Sequence, residues 1–430
     1  MNYNERLARV IPGGAHTYSR GADQFPENAP QILKKGKGAY VWDPEGRKYL
    51  DYGMALRAVT VGYAYEPIVL AAMEQAMYGN NLTRPSSIEL EAAELFTSII
   101  PWAEMVKFGK NGSLVTTAAV KIARAYNKKK YIALCAQHPF FSYDDWFIGA
   151  TVLTRGVPDE ISQLSLKFNY NDIASLEALF AQYPDEISCV ILEPATTVGP
   201  QDDFLHKAKA LCAKHRAVFI LDEMLTGFRF HLQGASKYFG IEPDLCTFGK
   251  GMANGFSVAA LAGKREFMEL GGIDKEGMER TFLVSTTHGA EMCGLGAFVK
   301  TIDVYKELGV VEHLWSYGEK LISGMNAISK GLGIDKNFYV EGYACHPNYV
   351  TKDANGVASL ELRTLFSQEM IKNGVLMPWI ALSREHGDTE LSMTLEAVSK
   401  SLEVYKKALE NGISGYLKGR PIRPVFRKYN

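Results

Sequence analysis

VFILDEMLTGFRF, residues 218–230, sets two acids, Asp222 and Glu223, directly after four apolar residues. Val218 to Leu221 read as a short strand buried on both faces, as in a parallel sheet covered by helices. A carboxylate at the end of such a strand is costly unless a cation meets it. Two other apolar runs end in ionisable residues, CVILEP at Glu193 and LCTFGK at Lys250. The intervals are 29 residues (222 minus 193) and 28 residues (250 minus 222). One crossover helix with its loops needs roughly 30 residues, so these are expected to be successive strands of one parallel sheet. Ligands gather at the carboxyl ends of such strands, which makes Glu193, Asp222 and Lys250 candidates for one pocket, with a simple buried ion pair between Asp222 and Lys250 as the other reading. Lys250 is flanked by Gly249 and Gly251, so the backbone beside it can approach a ligand closely.

The rest of the chain is consistent with a soluble α/β protein. At 430 residues it exceeds one simple core, and two or more lobes are expected. A net charge of −1 argues against nucleic-acid binding through a basic surface. The six cysteines lack CxxC or zinc-type spacing and suggest reduced core thiols, and no histidine has a metal-ligand partner at suitable spacing. The opening MNYNERLARVIPGGA lacks a signal-peptide core, and no apolar run is long enough to span a bilayer. The expectation is a cytoplasmic protein with no membrane or nucleic-acid partner. Residues 31–52 read as a β-hairpin around DPEG, and SSIELEAAELFTSII as a helix capped at Ser86 or Ser87. From residue 295 a long amphipathic stretch follows, then strands near FYVEGYACHPNYVT and a last helix in LSMTLEAVSKSLEVYKKALE. Residues 1–60 and 296–430 are assigned to a small α+β domain, and 61–295 to a large α/β domain with a mostly parallel sheet. The basic segment GYLKGRPIRPVFRKYN reads as a docked, solvated arm.

A pyridoxal 5′-phosphate (PLP) enzyme needs the residues gathered at these strand ends: a lysine to hold the cofactor covalently and an acid to keep its ring nitrogen protonated. LDEMLTGFRF…YFGIEPDLCTFGKGMANGFSVAALAGK resembles the signature of the class III aminotransferases, of PLP fold type I, the aspartate aminotransferase-like fold. Within that family it is most similar to the glutamate-1-semialdehyde 2,1-aminomutase branch. PGGAHTYSRG resembles that branch's PGGVNSPVRAF, and GKGAYVWDPEGRKYLDY its N-terminal hairpin. The resemblance implies that Asp222 meets the pyridinium, Lys250 carries the cofactor and shuttles a proton, and Met224 packs under the ring. Glu193 joins the cofactor pocket.

The resemblance also places other residues. FGKNGSLVTTAAVKIARAY, in register with the family's SGTEATMSAIRLAR, implies a phosphate cup at Gly112, Ser113 and Leu114, with Leu114 and Val115 departing from the usual small or polar pair. HPFFSYDDWFIGA puts Phe140 at the stacking aromatic and Phe141 in place of a histidine, with core packing as the competing reading of both. LVSTTHGAE puts Thr286 where relatives reach a phosphate across a dimer, with adjacent Thr287 as the alternative. A homodimer with shared active sites is therefore expected. Arg20 matches a residue that holds a substrate carboxylate, against the alternative of a solvated loop arginine. MALRA stands where the aminomutases have GSWGP, so that Leu56 replaces the Trp with Arg57 beside it, and MPWIALS replaces their FEAWF. These departures favour an aminotransferase that moves an amino group from an amino acid donor to a carbonyl acceptor such as an aldehyde or keto sugar. The alternatives are the aminomutase itself and a non-catalytic binding protein on the same fold. A dinucleotide-dependent dehydrogenase is disfavoured because no GxGxxG follows an early strand.

Overall fold

The computed structural model describes residues 1–430. They form two compact units: Met1–Tyr65 with Glu312–Arg427, and Glu66–Val311 with Lys428–Asn430. In the first unit, β1 (Lys35–Lys37), β2 (Tyr40–Trp42) and β3 (Lys48–Asp51) form an antiparallel ladder. The region expected to be one hairpin holds three strands, because Gly38 turns the chain with a φ of 58° before β2 begins. The turn at 43–46 closes with the Gly46 N–H donating to the Asp43 carbonyl at 3.1 Å.

Seven strands form the sheet of the second unit: β4 (Met105–Gly109), β5 (Tyr131–Cys135), β6 (Ser165–Phe168), β7 (Ile187–Leu192), β8 (Val218–Glu223), β9 (Leu245–Phe248) and β10 (Ala259–Gly263). Their order is β4-β10-β9-β8-β7-β5-β6, and only β10 runs antiparallel to its neighbours. The three strands read from the sequence are adjacent and parallel, β7 beside β8 beside β9. Every residue of β7, β8 and β9 is buried, as a continuous apolar run between helix layers requires. One face packs on a cluster of phenylalanines, with Phe96 and Phe248 edge to face at 5.3 Å and Phe228 and Phe298 adjoining. Helix Ser87–Ile99 enters this cluster from a capping box between Ser86 and Glu89.

The first unit resumes with the hairpin β11 (Phe338–Tyr343) and β12 (His346–Thr351), and with β13 (Val375–Leu376), which pairs parallel to β3. The amphipathic stretch beyond residue 295 is two helices, Met292–Leu308 and Val310–Gly331. Gly309, at φ 56°, ends the first in a left-handed cap. The last helix runs from Asp388 to Asn411.

His386 is a buried polar anchor of the first unit. Its Nδ1 accepts the Ser383 N–H at 3.0 Å, so its Nε2 carries the proton toward the Asp51 carbonyl at 3.2 Å. Its ring stacks on Tyr52 with centroids 4.4 Å apart. Burial lowers its pKa to about 4. A depressed histidine leaves the unfolded chain binding the extra proton, so its stabilising effect is complete above pH 6.5 and lost as pH falls toward 4. The full loss is on the order of 3 kcal/mol. Thermal unfolding followed at pH 7, 6, 5 and 4 should show a falling midpoint, and His386→Gln should flatten that slope while lowering the midpoint at pH 7.

Candidate active site

The chemistry-bearing residues of the second unit converge where β8 and β9 end. Asp222 lies directly opposite Thr247 in the parallel register. Its carboxylate is 2% exposed and accepts the Thr247 hydroxyl at 2.9 Å and the Met224 N–H at 3.0 Å. Burial raises its pKa above the usual carboxylate range. The Met224 amide, the Lys250 ammonium and the Thr247 hydroxyl each act to lower it, and burial wins. The local hydrogen bonds and lysine thus leave this carboxylate short of positive charge.

Lys250 begins the turn after β9 with a φ of 40°. A side-chain-bearing residue in the left-handed region is strained, and such strain persists where the surroundings enforce it. Met224, bonded through its amide to Asp222, is buried against two glycines. A Cβ on Gly112 would approach its Sδ to 2.9 Å, and one on Gly249 to 2.5 Å. Both glycines are therefore needed for the thioether to lie where it does.

Glu223 has a different fate from its neighbour. Its carboxylate accepts the Ala235 N–H at 2.5 Å, the Ser236 N–H at 2.8 Å and the Thr226 hydroxyl at 3.2 Å. It caps the start of the short helix Gly234–Tyr238. The second acid of the opening motif is spent on architecture.

Helix Gly112–Asn127 starts beside Met224. Asn111 caps it by accepting the Leu114 N–H at 3.0 Å, and the first-turn amides of Gly112 and Ser113 have no acceptor within the helix, as at any helix start. The Ser113 hydroxyl accepts the Tyr143 N–H at 3.0 Å. The Thr116 hydroxyl donates to the Phe141 carbonyl at 2.8 Å, and Trp146 Nε1 donates to Thr117 at 2.8 Å. These bonds fix the aromatic segment 140–147 to the helix start. Within it the two phenylalanines diverge: Phe141 is buried against Phe147, whereas Phe140 is 48% exposed.

At the end of β7, Glu193 is buried and its N–H donates to His138 Nδ1 at 2.9 Å. Burial lowers the pKa of His138 to about 4, so the ring is neutral. Thr286 and Thr287 are exposed on the segment before helix Met292–Leu308, and Asn81 donates to the Thr287 carbonyl at 3.0 Å. Sequence reasoning missed Thr247, His138 and the threonines of the 112–127 helix. Thr247 becomes visible only once the register of β8 on β9 is known, since it stands 25 residues from Asp222.

Arg20 and Arg57 belong to the first unit. Arg20 is exposed on a 3-10 turn; burial and the neighbouring Asp51 carboxylate raise the pKa of Tyr63, and the Arg20 charge opposes them only slightly. Arg57 ends a run of four side-chain-bearing residues in the left-handed region, Met54 to Arg57, with φ of 40°, 48°, 61° and 69°. Asp51 holds this run by accepting the Gly53 and Met54 amides at 2.8 and 3.0 Å and the Tyr63 hydroxyl at 2.7 Å. Trp379 donates to the Gly53 carbonyl at 3.1 Å and lies under the Arg57 guanidinium at 5.5 Å.

The aminotransferase class-III family model matches residues 22–338, and the chain belongs to that family. It is 30% identical over 421 residues to the 3-aminobutyryl-CoA aminotransferase of Cloacimonas acidaminovorans, covering 95% of this chain and 98% of that one. It is also 30% identical over 419 residues to the glutamate-1-semialdehyde 2,1-aminomutase of Alkaliphilus oremlandii, covering 94% and 98%. Among solved structures, the FumI protein of Sphingopyxis sp. MTA144, solved with PLP, superposes with a TM-score of 0.86 at 27% identity over 95% of this chain and 97% of that chain. The fold is PLP fold type I, and the chain is a PLP-dependent transaminase or aminomutase.

The residues at the β8 and β9 ends suit that cofactor. A buried carboxylate short of positive charge fits a ring that can be protonated, and first-turn helix amides fit its phosphate. A testable consequence concerns the cofactor-free protein. Because the folded pKa of Asp222 is raised, its favourable state is the protonated one, present at low pH and lost as pH rises. Asp222→Asn should therefore raise the melting temperature of the cofactor-free protein at pH 8 and leave it nearly unchanged at pH 4. With PLP added, the cofactor should stabilise the wild type more than the variant.

Proposed function

We propose that the protein is an aminotransferase that takes an amino group from an amino acid donor and delivers it to a separate carbonyl acceptor, an aldehyde or keto sugar. The observation that carries the choice over the aminomutase is the Met54–Arg57 run. Where that branch has GSWGP, this chain has a left-handed turn with Arg57 over Trp379. Left-handed residues with a Cβ cost roughly 1–2 kcal/mol each, so a run of them held by Asp51, Tyr63 and Trp379 supports a rebuilt substrate contact.

PLP, when bound, supplies an electron-accepting ring that labilises bonds at the substrate's amine-bearing carbon. Asp222 gives the negative charge that keeps the ring nitrogen protonated, and Thr247 with the Met224 amide fixes its orientation. Lys250 Nζ holds the cofactor at rest. The same Nζ, when free, would take the proton from the donor's amine-bearing carbon. The Gly112 and Ser113 amides would bind the phosphate, with Leu114, whose own amide donates to Asn111, lining the same cup. Met224 and Phe140 contact the ring, and Glu193 closes the pocket at the end of β7. Arg20 holds a substrate carboxylate and Arg57 a second anionic or polar group.

The place of Thr286 and Thr287 in LVSTTHGAE, where relatives reach a phosphate across a dimer, extends the proposal to a homodimer in which one of them reaches the phosphate held by the partner subunit. Mixing Lys250→Ala chains with Thr286→Ala chains should then restore activity, because one site of each heterodimer is intact. No gain despite verified exchange would count against shared sites.

Incubation with glutamate or another common amino acid should bleach the yellow protein to its pyridoxamine spectrum and release the matching keto acid. Arg20→Ala should weaken this half-reaction by about 1.5–3 kcal/mol, roughly 10- to 150-fold, through loss of a charge-assisted contact. Production of 5-aminolevulinate from glutamate-1-semialdehyde alone, with no half-reaction from simple amino acids, would establish the aminomutase instead.

A further inference from the structure

The basic arm near the end of the sequence is docked, and its docking partners are specific. The Lys418 N–H donates to Gln368 Oε1 at 2.8 Å, Gln368 Nε2 returns a bond to the Tyr416 carbonyl at 3.0 Å, and the Ile422 N–H donates to the Thr364 hydroxyl at 2.9 Å. Gln368 and Thr364 are buried on helix Leu360–Lys372, so one side of the arm is sewn to a rigid element.

The other side grips the chain just after Arg20. The Arg420 guanidinium donates to the Ala22 carbonyl at 2.7 Å and to the Asp23 carbonyl at 3.3 Å. The Arg423 N–H donates to the same Asp23 carbonyl at 3.0 Å, and its own carbonyl accepts Gln24 Nε2 at 2.9 Å. Arg427 pairs with the Asp23 carboxylate at 2.7 Å. Thus the 3-10 turn Ala22–Gln24 is hydrogen-bonded to the arm at three successive residues, accepting at Ala22 and Asp23 and donating at Gln24. It follows the Tyr18–Arg20 turn directly, linked by the Gly21 N–H to the Tyr18 carbonyl at 2.8 Å.

Residues 11–24 contain only three-residue turns and no buried apolar side chain, and the first apolar anchor is Phe25, partly buried against Val41, Tyr49, Ile371 and Leu376, so the turns before it have little local stability of their own. We infer that residues 418–427 act as a positioning arm, in which Arg420 and Arg427 fix the Ala22–Gln24 turn to helix Leu360–Lys372 and so preset Arg20 for the donor carboxylate. This rests on the role proposed for Arg20. The arm residues touch no substrate; they reduce the ordering that substrate binding would otherwise require.

The test follows the half-reaction of the PLP-loaded enzyme with excess L-glutamate or L-alanine by loss of the yellow absorbance, taking KM as the half-saturating donor concentration and kcat as the limiting rate, and compares the double variant Arg420→Ala/Arg427→Ala with Arg20→Ala. Amide hydrogen exchange over residues 18–25 should quicken in the double variant. KM for both donors should rise about fivefold with kcat and cofactor absorbance unchanged, the loss expected of preorganisation alone. The milder double variant Arg420→Ala/Arg427→Lys should recover part of the KM, because a cation again faces the Asp23 carboxylate. Unchanged exchange in the Arg420→Ala/Arg427→Ala protein would overturn the inference. So would an unchanged KM there if Arg20→Ala raises it. If Arg20→Ala leaves KM unaltered, the carboxylate role of Arg20 fails and the claim about recognition falls with it; exchange over 18–25 still decides separately whether the arm holds the turn.

Discussion

Asp222 is an acid placed where burial opposes its charge. The strand that carries it is apolar and sealed on both faces, and the Thr247 hydroxyl and Met224 amide orient the carboxylate without offsetting its desolvation. Such a group destabilises an empty fold, and the proposed cofactor would balance it with a cation brought from outside. Much of the surrounding architecture follows from that requirement. Gly112 and Gly249 clear space for Met224, Asn111 ends a helix so that two amides remain available, and Glu223 absorbs the second charge of the motif as a helix cap.

Function is spread over elements with different physical characters. The β8–β9 edge and the 112–127 helix are buried and over-bonded, suited to holding a cofactor in one pose. The residues proposed to face substrate sit on irregular backbone: Arg57 on a left-handed run, Arg20 on a 3-10 turn. Irregular segments need external bracing, which Asp51, Tyr63 and Trp379 give to the first and the basic arm gives to the second. In this arrangement specificity can change by replacing short loops while the cofactor machinery stays fixed.

Much of this was legible in the sequence because it depends on local pattern. The apolar runs ending at Glu193, Asp222 and Lys250 indicated adjacent parallel strands, and β7, β8 and β9 are adjacent and parallel. The Ser86 cap and the last helix carry their signals within a few residues. What stayed hidden depends on register or on distant partners. Thr247 meets Asp222 only through strand pairing. The different fates of Phe140 and Phe141 depend on how Thr116 anchors the segment, and the opposed roles of Asp222 and Glu223 on which face of β8 each occupies. The left-handed turn at Met54–Arg57 has no glycine to announce it, since tertiary contacts rather than local preference enforce it.

The central claim is that Lys250, beside Asp222, is the residue that carries PLP. Reducing the yellow holoenzyme with borohydride and mapping the peptides tests it most directly. The account predicts a single pyridoxyl adduct, on Lys250, with the characteristic absorbance lost from Lys250→Ala protein that still folds. An adduct on any other lysine would contradict it.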